Sequence, residues 1–244
     1  VEHVAAHFAG FPQLAELPVP LRVDPLPGHI GLSRAYGLPI AAPDMPEAPI
    51  VGVGGDTLTR FTDEWPGTGG FVVVGDRRSG KTDTLALIAH QLAWAGQRMV
   101  VVAAAGSVLA EVAASHGTPV LTTASDAAQV EAVLAGDELL TVVIDDAESI
   151  RDSALERAFV AARARLRFVV SIAADAAGSA VSGPVSDAKR GRAGIVLSPP
   201  TSILGTQVFG AELSRHLLGR GGTGCGLVFL GGEYRAVQVP DLRV

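Results

Sequence analysis

With 244 residues, 48% of them hydrophobic, the chain is long enough for one large domain around a buried sheet, or one domain with a small appendage. A net charge of −6 disfavours non-specific nucleic-acid binding, although Lys189, Arg190 and Arg192 leave room for a local basic patch. No apolar run approaches a bilayer span, no basic segment leads into an apolar one as in a signal peptide, and the single cysteine, Cys225, excludes an intrachain disulfide.

The chain opens on Val1, and we expect it to be a piece of a longer polypeptide or a processed chain. Residues 1 to 18 place Phe8, Phe11, Leu14 and Leu17 around Gly10 and Pro12, which allows a short helix, and Val19 to Val23 could be extended. Prolines and glycines dominate Asp24 to Pro49, where missing donors predict loop or edge-strand structure. Residues 1–49 are therefore expected to be a lead-in packed on the main domain, 50–244. Ile50 to Val53 and Leu58 to Thr62 read as short strands joined at Gly54-Gly55-Asp56. A turn at Pro66 to Gly70 then leads into the apolar run Phe71 to Val74.

After that run comes Gly75-Asp76-Arg77-Arg78-Ser79-Gly80-Lys81-Thr82, then Asp83 and apolar residues at helical spacing through Trp94. Strand, glycine-bounded loop and helix in this order match the phosphate-binding pattern G-x-x-x-x-G-K-T. Gly75 lets the chain leave the strand sharply, and Gly80 lets backbone N–H groups close on phosphate oxygens. The helix N-terminus adds partial positive charge, Lys81 is placed for the β and γ phosphates, and the Thr82 hydroxyl for magnesium. Residues 75 to 83 are the expected ATP contacts. An ordinary Gly-rich turn is the bland alternative.

Beyond the loop, strands and helices alternate: Met99 to Ala103, a helix at Val108 to Ala114, Val120-Leu121, a helix at Asp126 to Leu134, and Leu139 to Ile144. A helix at Leu155 to Arg165 and a strand at Phe168 to Ala173 follow, then strands at Ile195 to Leu197, Leu227 to Leu230 and Ala236 to Val239. The alternation predicts an α/β fold, a mostly parallel sheet covered by helices on both faces, closed by a C-terminal β-hairpin. Residues 175–192 and 219–226 read as loops.

The strand ending in Asp145-Asp146 supplies the second half of a site, because ligands in such sheets sit beyond the carboxyl ends of strands. Asp145 is expected to hold magnesium and Asp146 to polarise the attacking water. The bland alternative is a helix cap. Asp146 is one methylene shorter than the usual glutamate, Glu148 could compensate only if the turn allows it, and the strand at Phe168 ends in alanines where a polar residue would sense the γ-phosphate. Nucleotide binding is thus a firmer expectation than turnover.

Taken together, these segments resemble the FtsK/SpoIIIE family of motor ATPases, and in particular the carboxyl-terminal ATPase modules of EccC-type proteins of type VII secretion systems. The likeness is carried by Val51 to Asp56 with Phe61-Thr62-Asp63, by the loop at 75–82, by Val142 to Glu148, by Gly191 to Pro200, and by Val208-Phe209-Gly210. Gly226 to Phe229 and Val237 to Val239 resemble the family's terminal hairpin. Departures are Ala173-Ala174 in place of a glutamine and Gly222 to Gly226 in place of Pro-Gly-Arg-Gly. They resemble the weakened sites of modules that bind nucleotide tightly, hydrolyse it slowly and can receive a secreted substrate's export signal.

The resemblance implies a RecA-like, FtsK-like P-loop NTPase fold and a cytoplasmic domain of a membrane-anchored protein. Its partners would be other ATPase modules of the same chain or hexameric neighbours, with a secreted protein as a further one. It also implies Gln238 near the adenine and an arginine supplied in trans, for which Arg163, Arg165, Arg167, Arg190 and Arg192 are available but not distinguishable. A DNA-translocating motor is disfavoured by the acidic balance, a catalytically inert nucleotide-bound scaffold is a further alternative, and a small-molecule kinase fits the loop but not the tail. His3, His7, His29, His90, His116 and His216 lack metal-ligand spacing in sequence and receive no role.

Overall fold

The computed structural model describes residues 23–41, 48–63, 69–215, 218–219 and 221–242. The helix considered in residues 1–18, most of the extended segment after it and residues 66–68 of the predicted turn lie outside the described residues.

The central strands are buried along their whole length, and successive side chains point to opposite faces of the sheet. Ten strands form one sheet: β1 (Ile50–Gly54), β2 (Thr59–Thr62), β3 (Phe71–Val74), β4 (Met99–Val102), β5 (Val120–Leu121), β6 (Leu140–Ile144), β7 (Leu166–Ile172), β8 (Ala193–Leu197), β9 (Cys225–Leu230) and β10 (Glu233–Gln238). Their order is β2-β1-β10-β9-β8-β3-β7-β6-β4-β5. The six from β8 to β5 are parallel, and β9, β10, β1 and β2 continue the sheet antiparallel. A parallel sheet needs cover on both faces. Seven helices fill the links among the described residues: α1 (Leu32–Tyr36), α2 (Lys81–Trp94), α3 (Val108–Ser115), α4 (Ala127–Leu134), α5 (Ala154–Ala162), α6 (Gly183–Lys189) and α7 (Ile203–Phe209).

Two cores follow from the pleat. Phe71 and Val73 point to the face packed by α1, α2 and α3, with Leu85, Ile88 and Leu109. Val72 and Val74 point to the other, with Phe159 of α5, Phe168 of β7 and Phe209 of α7. Helix α2 runs over the first face and is tied to β1 by a buried side chain. The Gln91 amide donates to Ile50 O (3.0 Å) while its oxygen accepts from Ile50 N–H (2.8 Å) and from the Tyr36 hydroxyl (3.1 Å). Ser107, Asp126 and Ser153 cap α3, α4 and α5, and the Asp126–Gln129 pair forms a complete capping box.

The sheet reading and the hairpin hold, β9 and β10 being joined in register from Glu233↔Leu230 to Gln238↔Cys225. Four local readings are corrected. Residues 175–192 are not simply a loop: a 3-10 turn at Ala177–Ser179 and helix α6 lie there, with Val185 and Ala188 in the core and a proline in the first turn of α6. Within the Pro- and Gly-rich lead-in, Leu32 and Ala35 are buried on α1, so packing overrides composition. The segment at 203–209, given no element from sequence, is helix α7, whose Phe209 stacks on Phe229 with ring centroids 4.9 Å apart. The expected helix to Arg165 tightens after Ala162 into a 3-10 turn, Arg163–Arg165.

Candidate nucleotide-binding site

Strand β3 lies between β7 and β8, and its ladder extends one bond further, from Gly75 N–H to Ile172 O (3.2 Å). The loop therefore starts at the carboxyl edge of the sheet. A β-carbon on Gly75 would stand 2.4 Å from Ser79 Oγ, and Gly80 has φ +102°, so both glycines are required by space or by backbone conformation. From Gly80 the chain enters α2, whose Thr84 turns back on Gly80 O through its N–H (2.9 Å) and its hydroxyl (2.8 Å).

Ser79 Oγ is buried and has no hydrogen-bond partner among the described residues. A buried hydroxyl in that condition is costly unless a ligand completes it. Beside it, Lys81 is buried; its Nζ donates to Asp76 O (3.3 Å) and lies 3.6 Å from Asp146 Oδ1. Asp76, Arg77, Arg78 and Asp83 are exposed around the loop, with Arg78 in the left-handed region at φ +64°.

Facing the loop is the end of β6. Asp145 N–H donates to Val102 O (2.9 Å), which prolongs the ladder with β4 and fixes the carboxylate. Its Oδ2 accepts from the Thr82 hydroxyl (2.8 Å) and its Oδ1 from the Ser171 hydroxyl (2.7 Å). Ser171 Oγ in turn accepts from Asp146 N–H (2.8 Å). Asp146 itself is left-handed (φ 47°, ψ 63°), with its side chain 58% exposed. Glu148, on the 3-10 turn Ala147–Ile150, accepts from Ala173 N–H (3.2 Å) with one oxygen, while the other is buried and without a partner among the described residues.

Ser171 is the residue that reading the sequence missed. A lone hydroxyl in the run Phe168-Val169-Val170-Ser171-Ile172 was its only signal, and it lies one residue before the strand's end rather than after it. Ala173 and Ala174 do follow the strand, but the backbone there is already used by Glu148.

The far side of the loop is closed by the chain's tail. Gly224 N–H donates to Ser79 O (2.9 Å), and the Gln238 amide donates to Thr223 O (3.1 Å) and Val239 O (3.3 Å). Thr223 and Gly224, in the segment read as a loop, are thus bonded to the glycine-bounded loop and the hairpin rather than standing free of them. Asp241 bonds Ile30 O through its N–H (2.8 Å) and Leu32 N–H through its carbonyl (2.9 Å), which brings the lead-in to the same place. Between tail and α2 is a cavity of about 280 Å³, lined among others by His29, Asp83, Thr84, Thr223 and Gln238.

All five arginines considered for action in trans sit at the opposite edge. Arg163 and Arg165 enter β7, Arg167 is its second residue, and Arg190 and Arg192 enter β8. Asp187 pairs with Arg190 (3.0 Å) and Arg163 (3.9 Å), and Arg165 donates to Leu134 O. None is placed to reach the loop of its own chain.

The donor set fits magnesium and a polyphosphate. The glycine-bounded loop ahead of α2, the orphaned Ser79 hydroxyl and the buried Lys81 suit phosphate oxygens, and the Thr82–Asp145 oxygen pair suits a hard divalent cation.

No protein-family model matches the chain, and no curated protein does. Among solved structures, it is similar to the cytoplasmic domain of the Thermomonospora curvata type VII secretion ATPase EccC, at 18% identity and a TM-score of 0.64, over 89% of this chain and 28% of that one. It is also similar to the cytoplasmic domain of EssC, at 15% identity and a TM-score of 0.68, over 98% of this chain and 53% of that one. A third likeness is to ATPases 2 and 3 of T. curvata EccC in complex with a signal sequence peptide, at 19% identity and a TM-score of 0.60, over 93% and 45%. The chain spans about half or less of each of these proteins. At such identities the likeness shows the fold, which is that of the P-loop ATPase domains the sequence resembles.

Proposed function

We propose that this chain is an ATP-binding module of a type VII secretion motor that holds Mg-ATP tightly, hydrolyses it weakly, and helps regulate or recognise a secreted protein. The observation that carries the nucleotide part is the meeting of Thr82 and Asp145 at 2.8 Å beside the buried Lys81 and the unpartnered Ser79 hydroxyl. Gly75 to Thr82 would bind the phosphates, Lys81 exchanging Asp146 and Asp76 O for phosphate oxygens. Thr82 and Asp145 would hold magnesium, which supplies positive charge to the phosphate oxygens when bound. Gln238 and Asp83, on the wall of the adjoining cavity, would border the base and ribose.

Weak turnover is supported by where the other carboxylates go. Asp146 is drawn toward Lys81 and Glu148 toward Ala173 N–H, so neither is positioned by partners to orient water, and hydrolysis depends on such positioning. The arginines at the opposite edge could serve only another module's nucleotide, which favours a chain working beside further ATPase modules.

The secretion part rests on the fold shared with EccC and EssC domains. A groove of about 520 Å³ between α5 and α6, where Val160 and Val181 are exposed among Arg157, Arg163 and Arg190, supports a surface for a protein segment. Among the described residues no helix is long and apolar enough to cross a membrane.

Calorimetry of ATP with magnesium, run beside phosphate release on this chain and its Lys81→Ala variant, tests the reading. Tight, Lys81-dependent binding with little release is expected. Affinity should fall roughly 100-fold in the variant, the effect of removing one charge-assisted hydrogen bond to phosphate. Brisk release from the isolated chain would favour an autonomous motor, and absence of binding would leave only protein contacts as the function.

A further inference from the structure

His90 is in the third turn of α2 and His116 ends α3, 26 residues later. Folding brings His90 Nδ1 to 3.0 Å from His116 Nε2, with the rings edge to face and their centroids 4.9 Å apart. Both rings reach solvent: His116 is exposed and His90 half-buried. Burial, and then the neighbouring His116, push the His90 pKa below the usual imidazole range. As it stands the pair shares one hydrogen bond, in which one ring donates and the other accepts.

We propose that His90 and His116 form a two-imidazole chelate for a divalent transition-metal ion of the nickel or copper class. The nitrogens are close enough for one ion to span them: with metal–nitrogen bonds of about 2.05 Å, two nitrogens 3.0 Å apart subtend about 94°. The affinity of imidazole sites rises through nickel to copper and falls again at zinc, which gives the class. For both lone pairs to face one ion, His90 carries its proton on Nε2 and His116 on Nδ1, so the ring that now donates moves its proton to its other nitrogen by exchange with water. Partial negative charge at the carboxyl end of α3 favours a cation there. Among the described residues no group of three His, Cys, Asp or Glu converges, so water completes the coordination sphere. Bound metal would staple α3 to the helix whose first turn carries Lys81.

Trp94 provides the readout, since its ring lies 5.8 Å from that of His90 on the same helix. Untagged chain is titrated with nickel chloride and with copper chloride, following tryptophan fluorescence and, in parallel, heat. Saturable quenching at one ion per chain is expected, with zinc binding more weakly than nickel. His90→Ala and His116→Ala should each weaken nickel binding about tenfold or more, because each leaves a single ligand. His116→Gln keeps a hydrogen-bonding partner for His90 but removes the imidazole, and should lose binding equally while melting like the parent. Trp94→Phe should lose most of the quenching and keep the heat, separating this signal from that of Trp65. Nickel binding that persists unchanged in His116→Ala and His116→Gln would belong to other histidines and overturn the assignment, as would the absence of saturable binding.

Discussion

Asp145 and Asp146 are neighbours in sequence and opposites in the fold. Asp145 is held by the ladder to β4 and gathers two hydroxyls, from Thr82 and Ser171, each within 2.8 Å. Asp146 turns out of the strand through a left-handed backbone, leaves most of its carboxylate to solvent, and among the described residues faces only Lys81, at 3.6 Å. One carboxylate is fixed from several directions and suits holding a cation. Its neighbour is held by a single long contact and suits neither a cation nor the orientation of water. The proposal of firm binding with poor turnover rests on this difference.

The comparison breaks first at Asp145. Asp145→Asn keeps the shape but removes the charge from the Thr82 and Ser171 hydroxyls. We expect the magnesium-dependent part of ATP affinity to fall by about tenfold or more, read by calorimetry with and without magnesium. Ser171→Ala comes next: it removes one of the two hydroxyls on Asp145 and leaves Asp146 N–H unpaired. A loss of about 1–2 kcal/mol is expected, seen as a melting temperature lower by roughly 2–8 °C. Asp146→Asn should be the mildest, shifting ATP affinity less than about threefold, because its partially screened contact to Lys81 contributes little. Should Asp146→Asn weaken binding as much as Asp145→Asn, the two carboxylates act together and the contrast between them disappears.

Much of the site was legible because it is local. The loop Gly75 to Thr82 reads as glycines at fixed offsets between a strand and a helix, and Asp145 as a carboxylate ending an apolar strand. Those patterns encode geometry over eight residues or fewer. Ser171 was not legible, since its importance comes from the parallel pairing of β6 with β7, which sets it beside Asp145. Glu148 was ambiguous for the same reason: only the turn decides whether its carboxylate meets water or Ala173 N–H. Helices α6 and α7 were missed because they are seven residues each, short enough that tertiary burial rather than propensity forms them.

The sequence by itself determined the alternation of strands and helices, the glycine-bounded loop, the carboxylate facing it and the closing hairpin, since periodicity and glycine placement act within a few residues. Tertiary structure alone decided what crosses the sheet. It placed Ser171 on Asp145, the tail's Gly224 on Ser79, the five arginines at the far edge, and His90 against His116. Contacts between residues tens of positions apart depend on strand order and helix packing, which local pattern does not encode.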